Sequence, residues 1–316
     1  MSIYKTRVKA SAPGSIANLG VLFDLGALAI GDKRDLVVVE RVNKKDITVI
    51  SEGFNVPSGK ENIAYIVAME FLNRIGINGE GVKIVVHKGV DVGIGLGSSG
   101  ATAIATAVAL NELFNSNLST EELIAIAGEG ERAIAGSLHY DNVSASMLGG
   151  LVIILSKEPL KVVKYSFPKE LLIVLITPKK VKISVRKTEF FRKILPKEIS
   201  LEQHVDEKAH VVRFMKALYE EDIEELGKAI CEGGIVERER SKYIPHYWEI
   251  KERALRCGAL GFNISGAGPS MFALVRKGEE EAFIKRLCSD FMMLRLEYDI
   301  KILHPTNNGA LIVEEK

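Results

Sequence analysis

The chain lacks most of the features that assign a protein to a class at sight. It has 3 cysteines in 316 residues, and Cys231, Cys257 and Cys288 show no C-x-x-C spacing. That excludes a disulfide frame and leaves small buried thiols as the plain reading. The formal net charge is only +1, which argues against a nucleic-acid carrier while leaving room for one local anionic pocket. No apolar run approaches a membrane span; Gly150 to Leu155 reads as a strand. Met1 to Lys9 is short, charged and strand-like, not a secretory leader, so a reducing cytoplasm is the expected compartment. Long-period repeats and low-complexity tracts are missing too.

What is there is a folded composition, 47% hydrophobic and 26% charged, at a length that suggests two domains. The composition resets after the charged link Ser156 to Pro159, which places the boundary at 158, with domains 1–158 and 159–316. Strands are expected at Tyr4 to Ala10, Val82 to Val86 and Leu151 to Leu155, and Pro13-Gly14 reads as a break. Leu36 to Arg41 and Asp46 to Ile50 are expected to pair antiparallel. Helices are expected at Glu61 to Ile75, Ala101 to Phe114, Ser119 to Ala135 and Asn142 to Leu148. In the second half a strand at Leu171 to Ile176 and a basic segment, Val181 to Leu195, precede helices at Leu201 to Tyr219, Ile223 to Gly233 and Tyr247 to Cys257. A β-β-α-β tail closes the chain. Strands and helices do not alternate regularly, so the class is α+β.

The organising stretch is Gly93-Ile94-Gly95-Leu96-Gly97-Ser98-Ser99-Gly100, ahead of the alanine-rich helix. Alternating glycines bare one edge of the backbone and permit positive φ. Two serines then add hydroxyls where a helix start offers unpaired N–H groups and a positive dipole end. The result is an anion cradle suited to a phosphate chain. Gly95-x-Gly97-x-x-Gly100 also fits the dinucleotide fingerprint, but the preceding strand is separated from it by a loop, and no ribose-binding acid follows at the expected distance. A purely structural glycine turn is the bland alternative. Walker A is excluded, because no Gly-Lys-Ser/Thr follows the glycines.

Three further polar clusters stand out: Asn18 to Asp24; Glu131 with His139, Asp141 and Asn142; and the glycine turn Ser265 to Ser270. Glu131 and a serine hydroxyl would suffice to hold a phosphate-bound Mg²⁺, although Glu131 reads equally as a solvated helix charge or a partner of Arg132. His139 alone reads as a loop residue, and Asp141 as a helix N-cap. Arg186, Lys187, Arg192 and Lys193 form a basic patch, either a solvated face or the source of a bidentate carboxylate clamp.

These clusters resemble the homoserine kinase branch of the GHMP kinase superfamily over nearly the whole chain. Ser15-Ile16-Ala17-Asn18-Leu19-Gly20 with Phe23-Asp24 looks like its first motif. Gly95-Leu96-Gly97-Ser98-Ser99 is similar to its phosphate loop, His139-Tyr140-Asp141-Asn142-Val143 to its H-x-D-N-V segment, and Ile264 to Ser270 to its third motif. The resemblance implies a ribosomal-protein-S5-like N-terminal domain and a ferredoxin-like C-terminal domain with the site between them. It implies ATP contacts at Asn62, Lys88, Gly93, Gly95, Leu96, Gly97, Ser98, Ser99 and Gly100, and Mg²⁺ at Ser98 or Ser99 and Glu131. The substrate L-homoserine would be gripped by Asn18, Asp24 and His139, with its carboxylate on Arg192 and Arg240. The product would be O-phospho-L-homoserine, on the way to threonine, and the enzyme a homodimer with no nucleic-acid or membrane partner. Asn142 is expected to orient the acceptor hydroxyl, with Asp141 the competing candidate for a base. Leu22 stands where the family usually has glycine, and Ser144-Ala145-Ser146 replaces Ala-Pro-Ala. Both lie near the expected acceptor pocket, which leaves another small alcohol, such as mevalonate or shikimate, as the alternative acceptor.

Overall fold

The computed structural model describes residues 6–77, 79–136, 138–179 and 187–313. The first half runs β1 (Arg7–Asn18), β2 (Leu22–Val42), β3 (Ile47–Glu52), α1 (Ile63–Arg74), β4 (Gly81–His87), α2 (Ser98–Phe114), α3 (Thr120–Ala135), α4 (Asp141–Leu148), β5 (Leu151–Lys157) and β6 (Leu160–Tyr165). The second half runs β7 (Leu171–Pro178), α5 (Lys187–Lys193), α6 (Leu201–Tyr219), α7 (Ile223–Cys231), α8 (Gly234–Ser241), α9 (Tyr247–Arg256), β8 (Gly261–Ile264), β9 (Met271–Arg276), α10 (Glu280–Leu294), β10 (Tyr298–Leu303) and β11 (Leu311–Ile312).

Among the described residues the strands form two sheets. The first has the path β11-β1-β2-β4-β3, with β5 pairing β2 and β6 pairing β5. The second has the order β10-β7-β9-β8, the ferredoxin-like arrangement in which β7 and β9 sit at the centre. One mixed sheet and one antiparallel sheet, with helices packed on them, make this an α+β fold, as the sequence indicated.

Several local expectations shift. Pro13-Gly14 does not end β1; the strand absorbs it as an irregularity in its register with β2. β2 and β3 are not paired with each other. β4 lies between them, antiparallel to β2 and parallel to β3, because the intervening α1 gives the chain the length for a crossover. The domain boundary expected at 158 falls within the β5–β6 hairpin, whose strands pair from Leu151↔Tyr165 to Lys157↔Leu160. The change of sheet comes after Tyr165, and β11 returns to pair β1. Of the basic segment, residues 180–186, with Arg186, lie outside the described residues.

Buried side chains form distinct cores. Val37, Val39, Ile84 and Val86 of the first sheet pack against Phe71, Ile104, Leu110 and Ile124 of α1, α2 and α3. Ile16, Leu22, Leu28 and Ile30 face the second half instead, meeting Phe214, Ile230, Phe272 and Leu274. That shared core fixes one sheet against the other and sets the walls of the cleft. Phe214 is fully buried there. Phe214→Ala is expected to lower the unfolding free energy by about 3–5 kcal/mol, read as a lower urea midpoint.

Candidate active site

The glycine loop leaves β4 and enters α2 through a left-handed turn. Gly97, at φ +58°, is the N-cap, and a Cβ there would meet the Ser15 hydroxyl and the Asn142 amide oxygen. Gly95, at φ +89°, has no room for a side chain because the Ser265 carbonyl oxygen occupies it. The loop is held from both sides: Ser15 N donates to Leu96 O at 3.0 Å, and Ser265 Oγ to Gly95 O at 2.7 Å. Gly93 also takes positive φ, +78°, while the Leu96 side chain is buried in the core between the sheets, leaving only its backbone for the loop. Helix α2 starts at Ser98, earlier than the Ala101 expected, because Gly97 turns the chain before the serines. The first-turn amides of Ser98, Ser99 and Gly100 therefore have no intrahelical acceptor and sit at the positive end of the dipole.

Under this loop lies a buried ion pair that sequence reading missed. Asp35, with no exposed surface, accepts from the Gly89 and Val90 amides, both at 3.0 Å, and from Thr102 Oγ1 at 2.6 Å. Lys88 Nζ pairs with the same carboxylate and donates to Ser98 O and Thr102 Oγ1, each at 2.9 Å. Those partners use the ammonium's three protons. Burial pushes the Lys88 pKa down, and the carboxylates of Asp35 and Glu131 oppose that. Lys88 is in this structure a strut beneath the loop. Asn62 is likewise occupied: its side chain caps α1 by accepting from Ala64 N and donates to Pro57 O at 2.7 Å.

Glu131 on α3 faces the same loop. Its Oε1 is buried with no hydrogen-bond partner. Burial raises its pKa, while a hydrogen bond with Ser99 and the charge of His139 oppose the rise. Ser98 Oγ donates to Val90 O at 3.0 Å, while Ser99 is the serine hydrogen-bonded to Glu131. Among the described residues no three His, Cys, Asp or Glu side chains make a metal cage. One unsatisfied carboxylate oxygen beside a hydroxyl and a phosphate cradle fits a hard cation that arrives on phosphate and takes one or two protein oxygens.

The acceptor side is built around Asp24, at φ +58°. Arg192 Nη2 donates to Asp24 Oδ1 at 2.7 Å and to Oδ2 at 2.5 Å. His139 Nδ1 lies 3.2 Å from Asp24 Oδ1 and 3.0 Å from Arg192 Nη2. Burial raises the Asp24 pKa, but His139 and Arg192 outweigh it and hold the carboxyl at about 2. Asn18 Oδ1 accepts from Asp24 N at 3.3 Å, and its Nδ2 donates to Gly266 O at 2.9 Å. Arg240 Nη1 donates to that same carbonyl at 2.9 Å. The N-cap of α4 is Tyr140, not Asp141. Asp141, buried, accepts from the Asn142 amide at 2.8 Å. Its pKa is raised by burial and by Asp24, against the opposing charge of His139. Asn142 Oδ1 accepts from Ser15 Oγ at 2.8 Å, and its side chain packs on Gly97 and Gly100 of the glycine loop.

The positions that depart from the family pattern face inward. Leu22 is buried in the core between the sheets, and Gly26 makes room for it: a Cβ there would lie 2.7 Å from Leu22 Cδ1. Ser144 and Ser146 are buried too, and Ser146 Oγ donates to Pro13 O at 2.8 Å.

Comparison with known proteins agrees with this geometry. The family model described as GHMP kinases N terminal domain matches residues 62–150, and that described as GHMP kinases C terminal matches residues 214–291. The chain belongs to the GHMP kinase family, whose members are ATP-dependent kinases. Its relatives include the homoserine kinase of Methanopyrus kandleri, 38% identical over 85% of this chain and 88% of that one. The homoserine kinase of Chlorobaculum tepidum is 33% identical over 97% of this chain and 98% of its own. Among solved structures, homoserine kinase from Cytophaga hutchinsonii superposes with a TM-score of 0.86 at 32% identity, covering 99% of both chains.

Two outcomes follow for measurement. Lys88→Met leaves the Asp35 carboxylate buried without its cation and is expected to cost about 3–5 kcal/mol of stability; a rise in KM for ATP at unchanged stability would instead mark a direct contact. The Asp24 pKa lies below the free value of 3.8, so the carboxylate contributes about 2 kcal/mol at neutral pH. That contribution is complete above about pH 4 and fades as pH falls toward about 2. Asp24→Asn should flatten this acid limb in denaturant titrations run at a series of pH values.

Proposed function

We propose that the chain transfers the γ-phosphoryl group of ATP to the side-chain hydroxyl of L-homoserine, giving O-phospho-L-homoserine and ADP. The observation that carries this reading is the Asp24, Arg192, His139 and Arg240 cluster, joined to the phosphate loop through Asn142. An amino acid presents one cation and one anion. Asp24 suits the ammonium, while Arg192 and Arg240 suit the carboxylate. The hydroxyl then has to reach the loop, and Asn142 stands at that junction. Mevalonate and shikimate carry a carboxylate but no ammonium, and would leave Asp24 without a ligand partner.

Phosphoryl transfer needs positioning and charge neutralisation more than covalent help from the protein. The first-turn amides of α2 and the glycine loop hold the phosphates. Glu131 and Ser99 would hold Mg²⁺, which when bound spreads the phosphate charge. The acceptor oxygen forms the new P–O bond as the bond to ADP breaks, and its proton passes to the transferred phosphoryl oxygens. Asn142 cannot take a proton as a base does; its role is to orient the hydroxyl. Asp141 shapes the start of α4 through the Asn142 amide. We also propose a cytoplasmic enzyme and, from the family resemblance, a homodimer.

The test is ADP release with L-homoserine, mevalonate and shikimate side by side, with homoserine expected to be preferred by at least about a hundredfold in kcat/KM, about 3 kcal/mol of discrimination. Asn142→Ala is expected to lose several orders of magnitude in kcat, and Asp141→Asn to stay within about tenfold of wild type. Abolished turnover in Asp141→Asn at unchanged KM would make Asp141 the base.

A further inference from the structure

Two guanidinium groups meet on one aromatic ring. Arg192 Cζ lies 5.3 Å from the Phe23 ring centroid, and Arg240 Cζ lies 5.1 Å from it. The arginines come from different elements, α5 and α8. Their backbones are joined behind the site by a second aromatic group. Phe190 and Phe191 of α5 stand edge-on to Tyr243, just past α8, at centroid distances of 5.1 and 6.0 Å. Phe190 and Phe191 stand 5.3 Å apart, also edge to face. The trio fixes where the two side chains originate, and Phe23 fixes where their heads end.

Two like charges gathered on one ring repel unless something between them attracts both. The face of an aromatic ring does so. Asp24, the next residue, supplies the counter-charge through its bond to Arg192. Arg240 is 4% exposed, and its Nε is buried with no hydrogen-bond partner. A buried donor left unspent is costly, and an incoming oxyanion would satisfy it.

We propose that Phe23 is a specificity-determining positioning residue: its ring spaces Arg192 and Arg240, so that the pocket selects an acceptor carrying a carboxylate. This rests on the acceptor reading given above. Phe23 does no chemistry and touches no phosphate. Its effect therefore falls on recognition of the carboxylate and not on phosphoryl transfer or on ATP.

The experiment compares wild type, Phe23→Leu and Phe23→Tyr with L-homoserine and with 3-aminopropan-1-ol, the same amino alcohol without the carboxylate. Phe23→Leu is expected to raise KM for homoserine about tenfold. Its kcat, its KM for ATP and its kcat/KM for 3-aminopropan-1-ol should stay within about twofold of wild type. Phe23→Tyr keeps the ring and should restore the homoserine KM. An unchanged homoserine KM in Phe23→Leu, or equal losses on both compounds, would overturn the inference alone. Absence of homoserine turnover by wild type would overturn the acceptor reading and this inference with it.

Discussion

The carbonyl of Gly266 is the point on which the site depends. It accepts from Asn18 at the end of β1 and from Arg240 of α8, each at 2.9 Å, while the Gly266 amide donates to Ala17 O at 3.2 Å. One peptide unit thereby ties the first sheet, the turn before β9 and the arginine of the acceptor pocket to a common origin. The neighbouring Ser265 extends the tie to the glycine loop through Gly95 O. The glycine loop and Asp24 belong to the first half and Arg192 and Arg240 to the second, and their alignment rests on these few directional bonds together with the shared apolar core. Directional bonds set position to fractions of an ångström, whereas the core sets only proximity.

Charge is buried on both sides of the cleft, in each case with its partners. Asp35 and Lys88 sit beneath the phosphate loop. In the second half, Glu237 is paired with Lys251 and the Tyr247 hydroxyl and accepts from Gly233 N at 3.1 Å. Burial and the Glu237 carboxylate push the Tyr247 pKa far up, so its hydroxyl stays protonated and serves as a donor. Such pairs add little net stability over apolar packing, but each breaks expensively if one member is lost. Both lie under segments that carry site residues, Ser98 to Thr102 in one case and Glu237 to Arg240 in the other. They hold those segments in one geometry.

Much of this was legible in the sequence because it is written in local signals. Glycines at Gly93, Gly95 and Gly97 announce positive φ, the serine cap at Ser119 announces α3, and the order of polar clusters announces the family. Asp24, His139, Arg192 and Arg240 lie together around Phe23. What stayed hidden depends on long-range partners. Asp35 reads as an ordinary strand acid until its side chain is seen to meet Gly89, Val90, Thr102 and Lys88. Lys88 looks available for a ligand until its three protons are found spent, and Asn62 until its side chain is seen to cap α1. The β2–β3 pairing failed because adjacency in sequence was taken for adjacency in the sheet, and β11 is too short to carry a periodic signal.

The chain passes from the first sheet to the second between Tyr165 and Leu171 and comes back beyond Leu303, where Gly31 N takes up His304 O at 2.9 Å. The second half is thus an insertion with two covalent tethers, not a bead on a single string. Two tethers leave one easy swivel, about the line that joins them, and resist sliding or twisting in other directions. The apolar core that both halves share restrains even that swivel, so Arg192 and Arg240 keep their place relative to the first sheet.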